Sequence, residues 1–233
     1  MDRFYASCTG ANVTGQQVAG TGPDQYFYKF TGAASVTGIL FGQRIEATNI
    51  YDLVSTTVTL SVKLANSLLT TVTWTAYSAD VTDVWSAKTQ IATGTFTITS
   101  TITQYIVQID TGANASKGVA IEFTVGAQTS GTWTIGEVQI ETGVVAAPVF
   151  ERRPITVEDS LCRRYLPSYN IPTTERIFGG AGSTTLTYFY LPFTVPARIA
   201  PTGIATSTVG NFQVFSTGSG GAAAPTAIDY TAA

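Results

Sequence analysis

From Thr57 to Leu64 the chain alternates without interruption: Val58, Leu60, Val62 and Leu64 share one parity, and Thr57, Thr59, Ser61 and Lys63 share the other. A period of two sorts apolar and polar side chains onto opposite faces of an extended strand, whereas a helix of period 3.6 would mix them. Such a strand belongs in an antiparallel sheet covered on one face. The pattern recurs. Tyr26, Tyr28 and Phe30 alternate with Phe27 and Lys29, Val36 to Arg44 continues likewise, and Thr71 to Tyr77 turns Val72, Trp74 and Ala76 inward. Further strands are expected near Phe96, Ile98 and Ile102, and over Tyr105 to Asp110, Val119 to Val125 and Thr132 to Glu141. Threonine occurs 40 times, and its β-branched side chain suits a pleated, half-buried surface better than a helix. Seven or eight strands bounded by Gly, Asn, Asp and Ser clusters predict an all-β fold, an antiparallel sandwich or jelly roll. Residues 1 to 24, with Gly10, Gly15, Gly20, Gly22 and Pro23, read as an irregular arm or a first edge strand. Ser78 to Thr89 reads as a polar loop carrying Trp85.

A helix is expected after Pro154. Thr156 followed three residues later by Asp159 resembles a capping box, and the helix ends before Pro167. Leu161, Cys162 and Tyr165 then lie along one side, which leaves Glu158, Arg163 and Arg164 for solvent or ion pairs. Beyond it, 184 to 194 (TTLTYFYLPFT) reads as an aromatic-rich strand, 203 to 209 and 211 to 216 as shorter strands, and 219 to 224 as a low-complexity turn. Two domains follow: a β-sandwich over 1 to 148, and over 149 to 233 a short linking helix with a second, smaller β domain.

Composition removes several function classes. With a net charge of −3 and scattered Lys and Arg, the chain has no electrostatic footprint for a phosphate backbone, so no nucleic-acid partner is expected. No apolar run approaches a membrane span, and MDRFYASCTG lacks the regions of a cleaved signal peptide, so a soluble chain is expected. There is no histidine, which removes Ser/His/Asp and Cys/His nucleophile arrangements and every His-dependent metal site. The two cysteines, Cys8 and Cys162, have no partner at metal-ligand spacing, and they are expected to remain thiols. No cofactor, no metal and no catalytic residues are assigned. A carboxylate-pair glycosidase needs no histidine, and Glu122, Glu137 and Glu141 fall in expected strands, where solvent-facing positions are the ordinary alternative to convergence. Charged residues amount to 12%, about half the usual share, and so uncharged a surface suggests assembly.

Trp85 stands among Asp80, Asp83 and Lys88 in the expected polar loop. An aromatic ring beside polar groups is a common platform for a sugar ring, so Trp85, Asp80 and Asp83 are the candidate glycan-contact residues; the alternative for Trp85 is a loop anchor that packs inward. Asp80 and Asp83 are also oxygen donors of the kind a hard cation takes.

The stretch from Gly136 to Tyr165, GEVQIETGVVAAPVFERRPITVEDSLCRRY, carries a more specific signal. Val138, Gln139, Ile140, Glu141, Gly143, Ala146, Pro148, Phe150, Glu151, Arg152 and Arg153 resemble a junction of tailed-bacteriophage fibre and spike proteins, VQ(L/I)E-x-G-x-x-A-x-P-F-E-R-R. Glu158, Leu161, Cys162, Arg164 and Tyr165 resemble the E-x-x-L-C-x-R-Y helix that follows it there. Val149, inserted between Pro148 and Phe150, departs from the pattern. The runs 41 to 49 (FGQRIEATN), 59 to 77 and 126 to 141 resemble the same family, so the resemblance spans roughly 30 to 195. It implies a jelly roll, a homotrimer, and a structural virion protein, assembled in the host cytoplasm, whose fibre or spike acts in assembly with other virion proteins and in recognition of a host-surface glycan. On that basis Glu151, Arg152 and Arg153 are the expected subunit or interdomain ion-pair residues. The alternatives are a head fibre or capsid-decoration protein, a polysaccharide depolymerase, and a free carbohydrate-binding module.

Overall fold

The alternating parity resolves into ten strands in the computed structural model: β1 (Phe4–Thr9), β2 (Thr14–Ala19), β3 (Tyr26–Thr31), β4 (Gly38–Ile45), β5 (Thr57–Asn66), β6 (Thr71–Val81), β7 (Val84–Thr97), β8 (Thr103–Asp110), β9 (Val119–Val125) and β10 (Thr132–Thr142). The structure describes residues 4–20, 26–145, 154–167, 179–181, 183, 186–189, 192–198, 203, 214–215, 222–223 and 225. Two units divide the chain, Met1–Pro154 and Ile155–Ala233; the boundary expected at 148/149 lies outside the described residues.

The strands form two five-stranded antiparallel sheets. The first has the order β1-β4-β9-β6-β7 and the second β2-β3-β10-β5-β8. Without β1 and β2, the orders β4-β9-β6-β7 and β3-β10-β5-β8 are those of an eight-stranded jelly roll. The segment expected as an arm or one edge strand is in fact two, β1 and β2, and each borders a different sheet.

The inward parity of β5 (Val58, Leu60, Val62, Leu64) is sealed from solvent, as are Val119, Ile121, Phe123 and Val125 of β9. Aromatic rings tie the sheets together. Phe4 stacks on Phe41 at 4.8 Å within the first sheet, and Phe41 meets Phe30 of the second at 5.8 Å. Phe30 in turn stacks on the fully buried Trp133 at 5.2 Å. Elsewhere Trp74 meets Phe96 of the same sheet, and Phe96 reaches Tyr105 of the second. Each such burial contributes about 1.5–3 kcal/mol. Trp74 and Trp133 are thus core residues, as their alternation implies. Among the buried polar groups, Asn66 donates to the buried Gln128 Oε1 at 2.6 Å, accepts from the backbone N–H groups of Leu68 and Leu69, and so fixes the turn between β5 and β6.

In the second unit the helix α1 spans Ile155–Tyr165. Thr156 lies inside its first turn rather than at the cap: the helix already includes Ile155, and the Thr156 carbonyl accepts from Ser160 Oγ at 2.9 Å. Arg163 pairs with Asp159 one turn back at 2.7 Å, and no residue of α1 is buried. Two short pairings follow, β11 (Gly179–Ala181) with β12 (Thr187–Phe189) and β13 (Val214–Phe215) with β14 (Ala222–Ala223). The aromatic strand is shorter than expected, since 192–194 are not extended into a sheet, and Ala222 and Ala223 pair as strand where a turn is expected. The expected strand at 203 to 209 lies, Gly203 apart, outside the described residues. Among the described residues no helix is long and apolar enough to cross a membrane.

Candidate functional site

Because Phe4, Phe41, Ile121, Phe123, Trp74 and Ala76 point into the core, their neighbours on the opposite parity share the outer face of the first sheet. Register sets them in rows. Tyr5 lies opposite Gly42, Gly42 opposite Glu122, and Glu122 opposite Thr75. In the next row Arg44 is opposite Ala120 and Ala120 opposite Tyr77.

Glu122 holds the centre. It is only 5% exposed, and a carboxylate so far removed from water needs a cation and hydrogen bonds to remain there. Lys88, reaching over from β7, supplies the ion pair, and the Tyr5 hydroxyl donates to the same oxygen, Oε1, at 2.5 Å. Gly42 makes this contact possible: a Cβ on it would stand 2.9 Å from Tyr5 Cζ and 3.0 Å from Glu122 Cγ. Burial, then the hydrogen bond to Glu122 and its charge, push the Tyr5 phenol well above the usual tyrosine range, while Arg44 acts in the opposite direction.

Cations ride on the aromatic rings of this face. Lys88 Nζ lies 4.0 Å from the centre of the Tyr77 ring. The Arg44 guanidinium lies 4.7 Å from the centre of Tyr5 and 5.6 Å from that of Trp85. Contacts therefore run continuously through Trp85, Arg44, Tyr5, Glu122, Lys88 and Tyr77, on residues from five strands. Chemically the arrangement offers groups for non-covalent contact, with aromatic rings, cationic donors above them and a carboxylate beneath.

The three residues named from sequence are placed differently from expectation. Asp80 and Trp85 are not in a loop. β6 and β7 continue to Val81 and Val84 as a hairpin, so Trp85 is a strand residue and Asp83 is in the turn with a φ of 58°. Trp85 belongs to the outer face and also packs on Gly118, whose φ of 106° and missing side chain leave room for the indole edge and the Asp83 carboxylate. Asp83 Oδ1 accepts from the Ala47 N–H at 2.8 Å, and its own N–H donates to the Lys117 carbonyl at 3.0 Å, which fixes the turn against two loops. Asp80 is engaged apart from both, accepting from Thr89 Oγ1 at 2.7 Å. Among the described residues no group of three or more Cys, Asp and Glu side chains could hold a metal ion.

Glu122, Glu137 and Glu141 do not converge. Glu122 belongs to the first sheet and the other two to the second, where Glu137 pairs with Lys63 at 2.9 Å and Glu141 accepts from Gln139. Glu151, Arg152 and Arg153 lie outside the described residues. Tyr5, Arg44, Tyr77 and Lys88 are absent from the sequence-derived set. The one signal for them is outward parity: Tyr77 follows Val72, Trp74 and Ala76 out of phase, as Glu122 does Ile121 and Phe123.

No family model matches this chain, and no curated protein matches it. Among solved structures it is similar to a CBM4 structure at 18% identity and a TM-score of 0.48, over 61% of this chain and 88% of that one. It is also similar to the enzymatically active domain of tailspike protein 4 of bacteriophage CBA120, at 16% identity and a TM-score of 0.46, over 60% of this chain and 19% of that one. A third is a family 11 carbohydrate-binding module from Clostridium thermocellum in complex with a β-1,3-1,4-mixed-linked tetrasaccharide, at 12% identity and a TM-score of 0.43, over 62% of this chain and 91% of that one.

Proposed function

We propose that this chain is a fibre or spike component of a tailed bacteriophage and that its β-sandwich recognises a host-surface glycan through the outer face of the first sheet. The observation that carries the recognition reading is the continuous run of Trp85, Arg44, Tyr5, Glu122, Lys88 and Tyr77. Saccharides present both hydroxyl groups and C–H faces, and a surface alternating rings with fixed polar groups answers both. The virion reading rests on the resemblance of 136 to 165 to a fibre and spike junction, and a β10-to-α1 succession is in keeping with it. The assembled form is a homotrimer in this reading, located in the virion beside other structural proteins, with binding rather than catalysis as its role.

A glycan array probed with the full chain, with Trp85→Ala and with Lys88→Ala tests the recognition half. A defined set of glycans retained by the parent chain and lost by both variants is the expected result; uniform absence of signal for the parent chain would count against it. Light scattering tests the assembly half, with three times the 24.6 kDa chain mass expected and reduction to monomer on Arg152→Glu.

A further inference from the structure

We infer that the glycan bound on this face is acidic and that Arg44 is the group that receives its carboxylate; the inference rests on the reading of the face as a glycan site. The two cations there are not equivalent. Lys88 is already neutralised by Glu122, which also accepts from Tyr5. Arg44 is exposed; its guanidinium lies 4.7 Å from the Tyr5 ring and 5.6 Å from the Trp85 ring, and it also hydrogen-bonds the Tyr5 side chain. Among the described residues no carboxylate forms an ion pair with it.

The ring contacts and the single hydrogen bond to Tyr5 leave further N–H donors of the guanidinium, which lie in the plane of the group, for a ligand. That planar fork matches the two oxygens of a carboxylate, and charge assistance makes such bonds about twice as strong as those to neutral hydroxyls. Packing of Arg44 against two rings also restrains the side chain before any ligand arrives, which lowers the ordering cost of binding. The chain as a whole repels anions, with a net charge of −3. At physiological salt, however, charges beyond about 8 Å are largely screened, so the local cation decides. A hexuronic acid residue supplies both a carboxylate for Arg44 and a pyranose ring to lie beside Trp85.

The test is binding of the full chain to polygalacturonate, alginate and hyaluronan by isothermal titration, each polymer beside its carboxyl-reduced form, for the parent chain, Arg44→Gln and Arg44→Lys. At least one acidic polymer is expected to bind, with affinity falling about tenfold or more on carboxyl reduction or on Arg44→Gln, the loss of a charge-assisted hydrogen bond. Arg44→Lys, which keeps the charge and loses the fork, is expected in between. Equal binding of the acidic and reduced forms, or unchanged affinity in Arg44→Gln, overturns the inference and leaves glycan recognition standing. Absence of binding to all three acidic polymers also overturns it, and retention of neutral glycans on the array then separates that failure from failure of the wider reading.

Discussion

Gly42 is the residue on which the geometry of the recognition face turns. Its missing side chain lets the Tyr5 hydroxyl cross β4 to Glu122, and an alanine there would also stand 3.0 Å from the Ile121 carbonyl. Gly42→Ala is therefore expected to displace Tyr5 and cost about 1–3 kcal/mol, the usual penalty of overpacking, read as a lowered denaturation midpoint together with weakened glycan binding. Loss of neither would show that the Tyr5–Glu122 contact does not shape the face. Tyr5 itself predicts an alkaline effect. Its phenol is held above the usual range by burial and by Glu122, so the folded chain keeps a proton that the unfolded chain releases near about pH 10. The associated stability is whole below that pH and is lost as pH rises above it. Tyr5→Phe is expected to lose less stability than the parent between about pH 9 and about pH 11, and parallel losses would contradict the assignment. At this scale the sequence is only partly legible. Trp85 can be singled out as an aromatic among polar residues, but Tyr5, Arg44, Glu122, Lys88 and Tyr77 meet only through the register of five strands, which no local pattern encodes. Asp83 looks like a ligand-contact residue by composition. Its left-handed backbone and its bond to Ala47 make it a turn residue, a role for which aspartate is well suited.

Among the strands, β5 is the one most directly written in the sequence, and it should be the least tolerant of change. Leu60→Ala, at a position with no solvent exposure, is expected to cost about 2–5 kcal/mol. Ile106→Thr on the edge strand β8, where the side chain is half exposed, is expected to change stability by less than about 0.5 kcal/mol. Equal effects in chemical denaturation would contradict the assignment of inner and outer parity. The same contrast explains which elements escape sequence reading. β5, β9 and β10 are interior strands of their sheets, so one of their parities is apolar. β7 is an edge strand, exposed along most of its length from Val84 to Thr95, and β1 and β2 are edges as well. An edge strand has little apolar parity to show, which is why the start of β7 reads as a loop and the first residues as an arm. The helix α1 is the reverse case: Pro154 and the run up to Tyr165 announce it, while its cap is displaced by the inclusion of Ile155. Its exposed Arg163–Asp159 pair should matter little, and Arg163→Ala is expected to shift stability by no more than about 0.5 kcal/mol.

For the molecule as a whole, the first unit closes its core from its own two sheets, with Trp133, Phe30 and Phe41 joining them. The three tryptophans of the chain divide cleanly between that core and the recognition face: Trp74 and Trp133 are buried, and Trp85 lies beneath Arg44 on the outer side. Their three indole N–H groups are a direct probe of the central claim, that a glycan binds the outer face of the first sheet. The decisive measurement is a 15N-resolved NMR titration of the full chain with the glycan best retained on the array, following these three signals. The account requires the Trp85 signal to move with saturable dependence on glycan concentration while those of Trp74 and Trp133 stay in place. A glycan that saturates the protein and leaves the Trp85 signal unmoved would contradict it.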